Sequence, residues 1–218
     1  MVDVAANLTA VRARIAAAAE GAGRDPSAVT LIAVSKTQPA SALDAAIAAG
    51  VGDVGENYVQ EAVAKRAAVT GSARWHLIGH LQRNKVARAL ATFDLIHSLD
   101  SAALGETLAR HGEAERRVVR ALVEVNVGGE PSKTGVAPDQ LPALLARLRD
   151  PRLAIEGLMT VPPPGSPAQT RACFRTLREL RNAAGLRELS MGMTDDFEIA
   201  IEEGATFVRI GRAIFGAR

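Results

Sequence analysis

The chain holds four lysines, Lys36, Lys65, Lys85 and Lys133, and one of them closes the stretch VTLIAVSK (29–36), the first run suited to a β-strand. Strand alternation puts Ile32, Val34 and Lys36 on one face. If that face lines a closed core, burial disfavours the ammonium and frees a neutral amine. Such an amine attacks an aldehyde or ketone to form a Schiff base. The alternative is a solvated lysine at a strand end, the commoner place for this residue type. Two glycine-bearing segments near the C-terminus, SMGM (190–193) and IGRAIFG (210–216), offer complementary chemistry. Glycine lets backbone approach an anion closely, and free amides at a helix start favour negative charge. Ser190, Gly192, Gly211 and Arg212 are therefore candidate phosphate holders, the alternative being two turns that simply need glycine. Arg209 lies on the strand face opposite Val208 and Ile210. It cannot shed its charge and needs an acceptor: a phosphate, a carboxylate, a pyridine nitrogen, or a rim carboxylate in a surface salt bridge.

The elements that must position these groups follow from the apolar pattern. Eight short strand-like runs occur at 29–35, 51–56, 74–80, 93–99, 118–127, 153–160, 186–192 and 206–211. Helical patterns fall between them at 40–49, 58–69, 82–91, 101–114, 138–149, 168–184 and 195–203, with another from 212 onward and an additional helix near 3–20 ahead of the first strand. This alternation predicts α/β architecture: one (β/α)8 TIM barrel over residues 1–218, with an extra N-terminal helix packed outside. An open doubly wound sheet is the rival, but no Gly-x-Gly-x-x-Gly follows the first strand. In a barrel the chemistry sits at the C-terminal strand ends, and the loops after strands seven and eight commonly bind phosphate. Those are the ends that carry Lys36, Asn57, Ser190 and Arg209.

Composition sets the bounds. The net charge is +2 and no long run of like charge occurs, so a nucleic-acid-binding arm is not expected. Aromatics are 3%, too few for base-stacking platforms. No stretch is long and apolar enough for a membrane span, and the N-terminus reads as an amphipathic helix rather than a signal peptide, so a soluble cytoplasmic protein is expected. The one cysteine, Cys173, reads as a small apolar helix residue. GGEPSKTG (128–135) is not a phosphate loop, because Ser132 stands where glycine precedes the lysine. His76 and His80 are four apart in a strand, which argues against a metal site. TDDFEIAIEEG (194–204) reads as a helix start, with Asp195 and Glu198 as its capping box.

An amine at a barrel mouth, a phosphate cradle and a nearby arginine together suit pyridoxal 5′-phosphate (PLP), which offers an aldehyde, a phosphate and a ring nitrogen. A class I aldolase acting on a sugar phosphate would use a similar layout.

The segments LIAVSKTQP, GENYVQEA, WHLIGHLQRNK, IHSLD, VNVGGEPSKTG, GLMT and LSMGMTDDFEIAIEEGATFVRIGRAIFG, in this order from about residue 30 to the C-terminus, resemble the YggS-type pyridoxal phosphate homeostasis proteins. The resemblance implies a fold-type III PLP barrel, like the N-terminal domain of alanine racemase, with PLP held as an aldimine on Lys36. It implies that Ser190, Gly192, Gly211 and Arg212 hold the phosphate, that Arg209 faces the pyridine nitrogen and that Asn57 lies near the ring. It further implies a non-catalytic protein of PLP homeostasis, buffering or carrying the cofactor and influencing amino- and keto-acid balance, with apo PLP-enzymes as recipients. A racemase would need a second base from a C-terminal domain, whereas this sequence ends at Arg218 and its one tyrosine, Tyr58, opens a helix. A PLP-dependent amino-acid racemase of low activity is the alternative. Lys133 is expected to be a solvated loop lysine in preference to a second amine that passes the cofactor on.

Overall fold

Thr30–Val34, β1, is built from β-branched and aliphatic residues whose side chains alternate between two apolar surroundings. Ile32 packs inward with Leu95, Leu122, Met159 and Phe207. Its neighbour Ala33 belongs to the larger outer core beneath the helices. The same alternation repeats around a closed sheet of eight parallel strands in sequence order. After β1 come β2 (Asp53–Glu56), β3 (Arg74–Leu77), β4 (Leu95–Leu99), β5 (Val119–Glu124), β6 (Leu153–Met159), β7 (Glu188–Ser190) and β8 (Phe207–Ile210). β8 returns to β1 with Ile32 opposite Arg209, and this pairing closes the barrel and rules out the open sheet. This computed structural model describes residues 2–130 and 133–216; Ser132 and Arg218 lie outside the described residues.

The helices are α1 (Val4–Gly21), α2 (Ala40–Ala48), α3 (Val59–Ala68), α4 (Val86–Thr92), α5 (Ala102–Ala114), α6 (Leu141–Arg147), α7 (Pro167–Ala183), α8 (Phe197–Glu202) and α9 (Arg212–Phe215). They match the expected positions, except that the segments predicted to start at 82 and 138 each open with a short 3-10 turn, Arg83–Lys85 and Pro138–Gln140. α7 starts with a capping box that the sequence reading did not pick out. Ser166 accepts from the Gln169 amide at 3.3 Å, and the Gln169 side chain accepts from the Ser166 amide at 2.8 Å.

The capping box predicted for α8 does not form. Asp196 holds the N-cap position, and its carboxylate accepts from the Met193 amide at 2.6 Å. Asp195 instead pairs with Arg212, and Glu198 pairs with Arg14. These partners claim the acidic residues, so none remains for reciprocal capping.

α1 lies outside the barrel against the last two units. Leu8, Val11, Ile15 and Ala19 form its buried stripe. Asn7 donates to the Ile214 carbonyl at 2.9 Å, and Arg14 donates to Glu198 at 2.7 Å while lying 4.6 Å from the Phe197 ring centre. Just beyond the helix, Arg24 donates to the carbonyls of Ile201 and Ala205 at 2.5 and 2.8 Å. Among the described residues no helix is long and apolar enough to cross a membrane.

Candidate functional site

A cavity of about 420 Å³ opens at the C-terminal mouth of the barrel. Lys36 and Gln38 after β1, and Asn57 after β2, form one wall. Met193, Thr194 and Asp195 after β7, with Gly211 and Arg212 after β8, form another, and Arg209 reaches in from β8 itself. Its volume lies within the usual range for small-molecule sites, roughly 300–1,000 Å³.

Lys36 continues the inward face of Ile32, as strand parity requires, and is half-buried at the mouth rather than enclosed in the core. The backbone around it is held from behind. Thr37 sits at φ 67°, in the left-handed region that a β-branched residue enters only under constraint. Its amide donates to Glu61 Oε1 at 2.6 Å, and its hydroxyl donates to the Lys36 carbonyl at 2.6 Å. Lys65, almost fully buried, donates to the Ser35 carbonyl and pairs with Glu56 at 2.6 Å and Glu61 at 2.8 Å. The Ser35 hydroxyl adds a 2.5 Å bond to Glu56. Burial pushes the Glu56 carboxyl above its ordinary range against the pull of Lys65 and Ser35.

Arg209 is 4% exposed. Its guanidinium donates to Ser190 Oγ at 2.6 Å and to the Thr160 carbonyl at 2.9 Å. Burial lowers its pKa to about 10 against the opposing fields of Asp196 and Glu124, so it remains a cation at neutral pH. The expected inward orientation opposite Val208 and Ile210 is observed.

Facing this arginine, the two C-terminal loops present unpaired donors. Among the described residues no protein acceptor takes the amides of Thr194, Asp195, Gly211 or Arg212. The Arg212–Asp195 ion pair ties the loops together. Gly192 enables the first loop: it adopts φ +90°, and a Cβ there would lie 2.5 Å from the Ala200 Cβ. Gly79 plays a similar part for Asn57, since a Cβ at residue 79 would meet the Asn57 carbonyl at 2.4 Å.

Of the seven residues singled out from the sequence, Lys36, Asn57, Arg209, Gly211 and Arg212 line this cavity. Ser190 and Gly192 stand behind it. The Ser190 hydroxyl is fully buried and engaged with Arg209 and His97, and Gly192 shapes the turn. Thr194, which sequence reasoning passed over, brings the hydroxyl-bearing side chain of that loop to the cavity wall. The signal was present as a second hydroxyl four residues after Ser190 in SMGMT. Lys133 is a partly exposed loop lysine outside the cavity lining; it pairs with Glu130 and donates to the Pro162 carbonyl at 3.2 Å.

Residues 6–218 match the family described as the alanine racemase N-terminal domain. Over 223 residues the chain is 47% identical to the pyridoxal phosphate homeostasis protein of Pseudomonas aeruginosa, covering 100% of this chain and 97% of that protein. The chain belongs to the pyridoxal phosphate homeostasis protein family. The family member of Escherichia coli strain K12 is 44% identical over 232 residues, covering 100% of this chain and 98% of that one. Among solved structures, PipY of Synechococcus elongatus with PLP bound is 38% identical and superposes with a TM-score of 0.87 over 98% of this chain and 100% of that one.

Proposed function

We propose that this chain binds PLP at the barrel mouth and acts in PLP homeostasis, holding and releasing the cofactor without turning over substrate. The observation that carries the reading is one cavity with a lysine amine on one wall, four unpaired amides on the other and a buried arginine between them. That donor set fits the groups of PLP, which when bound supplies an aldehyde reactive toward amines, a phosphate dianion and a ring nitrogen. Lys36 would provide the amine for the aldehyde. The amides of Thr194, Asp195, Gly211 and Arg212, with the Thr194 hydroxyl, hold the phosphate. Arg209, as a donor that cannot accept, would serve the ring nitrogen and keep a proton off it, weakening the ring as an electron sink. Asn57 flanks the ring.

The racemase alternative needs a second acid–base group on the wall away from Lys36. Among the described residues the lining contains no tyrosine, histidine or cysteine; its one carboxylate, Asp195, is paired with Arg212, and Tyr58 is exposed outside it. This supports a non-catalytic role. Cytoplasmic location and delivery to apo PLP-enzymes belong to the same proposal.

The test is the visible absorbance spectrum of PLP-loaded protein beside Lys36→Ala, each with and without borohydride. A band in the parent that borohydride bleaches and the variant lacks is expected. A parent that takes up no PLP would overturn the reading and favour a lysine-dependent aldolase.

A further inference from the structure

The interior of the barrel is not wholly apolar. Beside the Ile32–Phe207 cluster runs a line of buried polar side chains that the proposed binding chemistry does not use. At the N-terminal end of β2, Asp53 Oδ1 lies 2.8 Å from His76 Nε2. His76 Nδ1 lies 2.9 Å from His97 Nε2, and His97 Nδ1 lies 2.9 Å from Ser190 Oγ. Ser190 in turn accepts from Arg209 at 2.6 Å. Both histidines are 2% exposed or less. Phe207 packs against both rings, at 5.8 and 5.6 Å between centres. The line climbs from the floor of the barrel to the arginine at its mouth.

The direction of these bonds follows from donor counting. Arg209 can only donate, so Ser190 Oγ accepts from it and keeps one proton to give. Among the described residues the one acceptor beside that hydroxyl is His97 Nδ1. His97 must then carry its proton on Nε2 and donate to His76 Nδ1, and His76 donates from Nε2 to Asp53. Asp53 also accepts from Arg74 at 2.8 Å on its other oxygen. Burial works against the Asp53 carboxylate, but the bonds from His76 and Arg74 outweigh it and hold its pKa below the ordinary range. Burial, with His76 and Arg209 nearby, pushes the His97 pKa well down, in keeping with a neutral ring. The reverse direction would leave the Ser190 proton without an acceptor in a dry site, which is costly.

We infer that Asp53, His76, His97 and Ser190 are positioning residues for Arg209, joined in a relay whose donors all point from Arg209 toward Asp53. Through Ser190 the relay fixes the guanidinium edge turned toward a bound pyridine ring; this second part rests on the cofactor reading above. Among the described residues a hydroxyl and a carbonyl accept the hydrogen bonds of this buried arginine, so that hydroxyl must be correctly aimed, and the histidine pair aims it.

Two measurements test this. Long-range proton–nitrogen correlation spectra of the ligand-free, full-length protein at neutral pH should show both His76 and His97 as neutral Nε2–H tautomers. An Nδ1–H tautomer at either residue would overturn the stated direction. The second compares PLP-loaded His97→Leu with His97→Asn, whose Oδ1 can replace Nδ1 as the acceptor for Ser190. The leucine variant should shift the visible band and weaken PLP binding about tenfold, as expected for disturbing a bond to a charged group. The asparagine variant should recover most of both. A folded His97→Leu protein with the parent spectrum and affinity would defeat the positioning role. Should that variant not fold, His76→Leu asks the same question one residue further from Arg209. A parent without PLP uptake sinks the cofactor reading alone, and the tautomers still decide the relay.

Discussion

Ser190, the last residue of β7, and Thr194, in the loop that follows, both carry a hydroxyl, and the structure gives them different surroundings: Ser190 lies under Arg209, and Thr194 lines the cavity. Their substitutions should therefore differ in kind. Thr194→Ala should weaken PLP binding about tenfold, the scale of one lost bond to a charged group, and leave pyridoxal, which has no phosphate, unaffected. Ser190→Ala, acting through Arg209, should weaken both ligands alike. Titrating each variant with the two compounds checks this; equal losses for Thr194→Ala would mean its hydroxyl does not serve the phosphate. The pair also marks what a sequence discloses. Lys36 and Arg209 were legible because strand parity fixes which way they point, and both lie on or directly after a strand. Beyond the end of β7 the chain turns at Gly192 with positive φ, parity lapses, and the choice between Ser190 and Thr194 could not be made from spacing. His97 was hidden for the opposite reason. Inside IHSL it occupies an ordinary strand position, and its partners come from β3 and β7, far away in sequence.

At the scale of elements, the turn that carries Lys36 depends on α3. Lys65 and Glu61, one helical turn apart on that helix, clamp the backbone of Ser35 and Thr37, and Glu56 at the end of β2 completes the cluster. Removing the cation leaves a buried carboxylate without its countercharge. Lys65→Met should cost about 3–5 kcal/mol at neutral pH, as for other broken buried pairs. The pH dependence has a definite sign. Burial raises the Glu56 pKa, so its stability contribution is full below its unfolded value and is lost as pH rises through the folded one. Without Lys65 that pKa rises further. Partial burial opposes the change at Glu61, yet bonds from Lys65 and Thr37 hold its carboxyl below the ordinary range, a contribution present above its unfolded value and lost in acid. Both effects make the deficit of Lys65→Met largest at neutral pH and smaller as pH falls toward the carboxylate range. Urea unfolding of parent and variant across that range measures it, and a deficit that grows in acid would contradict the assignment. Strand and helix positions were readable from apolar periodicity, but this clamp was not, because Glu61 and Lys65 look like an ordinary solvated helix face and Glu56 like an ordinary carboxylate at a strand end. The misread start of α8 has a related cause: its acidic residues satisfy a capping pattern, yet arginines distant in sequence claim them.

At the scale of the whole molecule, α1 precedes the barrel in sequence; Asn7 and Arg14, with Arg24 just beyond the helix, fasten it to the last two units, and Arg12 also ties it to the Ala49 and Gly50 carbonyls ahead of β2. The loops that open α8 and α9 supply the four unpaired amides of the mouth. A ligand that orders those loops should also quieten the element bolted across their helices. Amide hydrogen exchange in α1 should slow when PLP is added, while α5 and α6, on another side of the barrel, keep their rates. Slowing confined to residues 192–196 and 211–215 would show that the fastening transmits nothing. If α1 does respond, a segment that contributes no residue to the cavity lining becomes an outward gauge of occupancy, a surface whose local unfolding a partner could sense to tell loaded protein from empty.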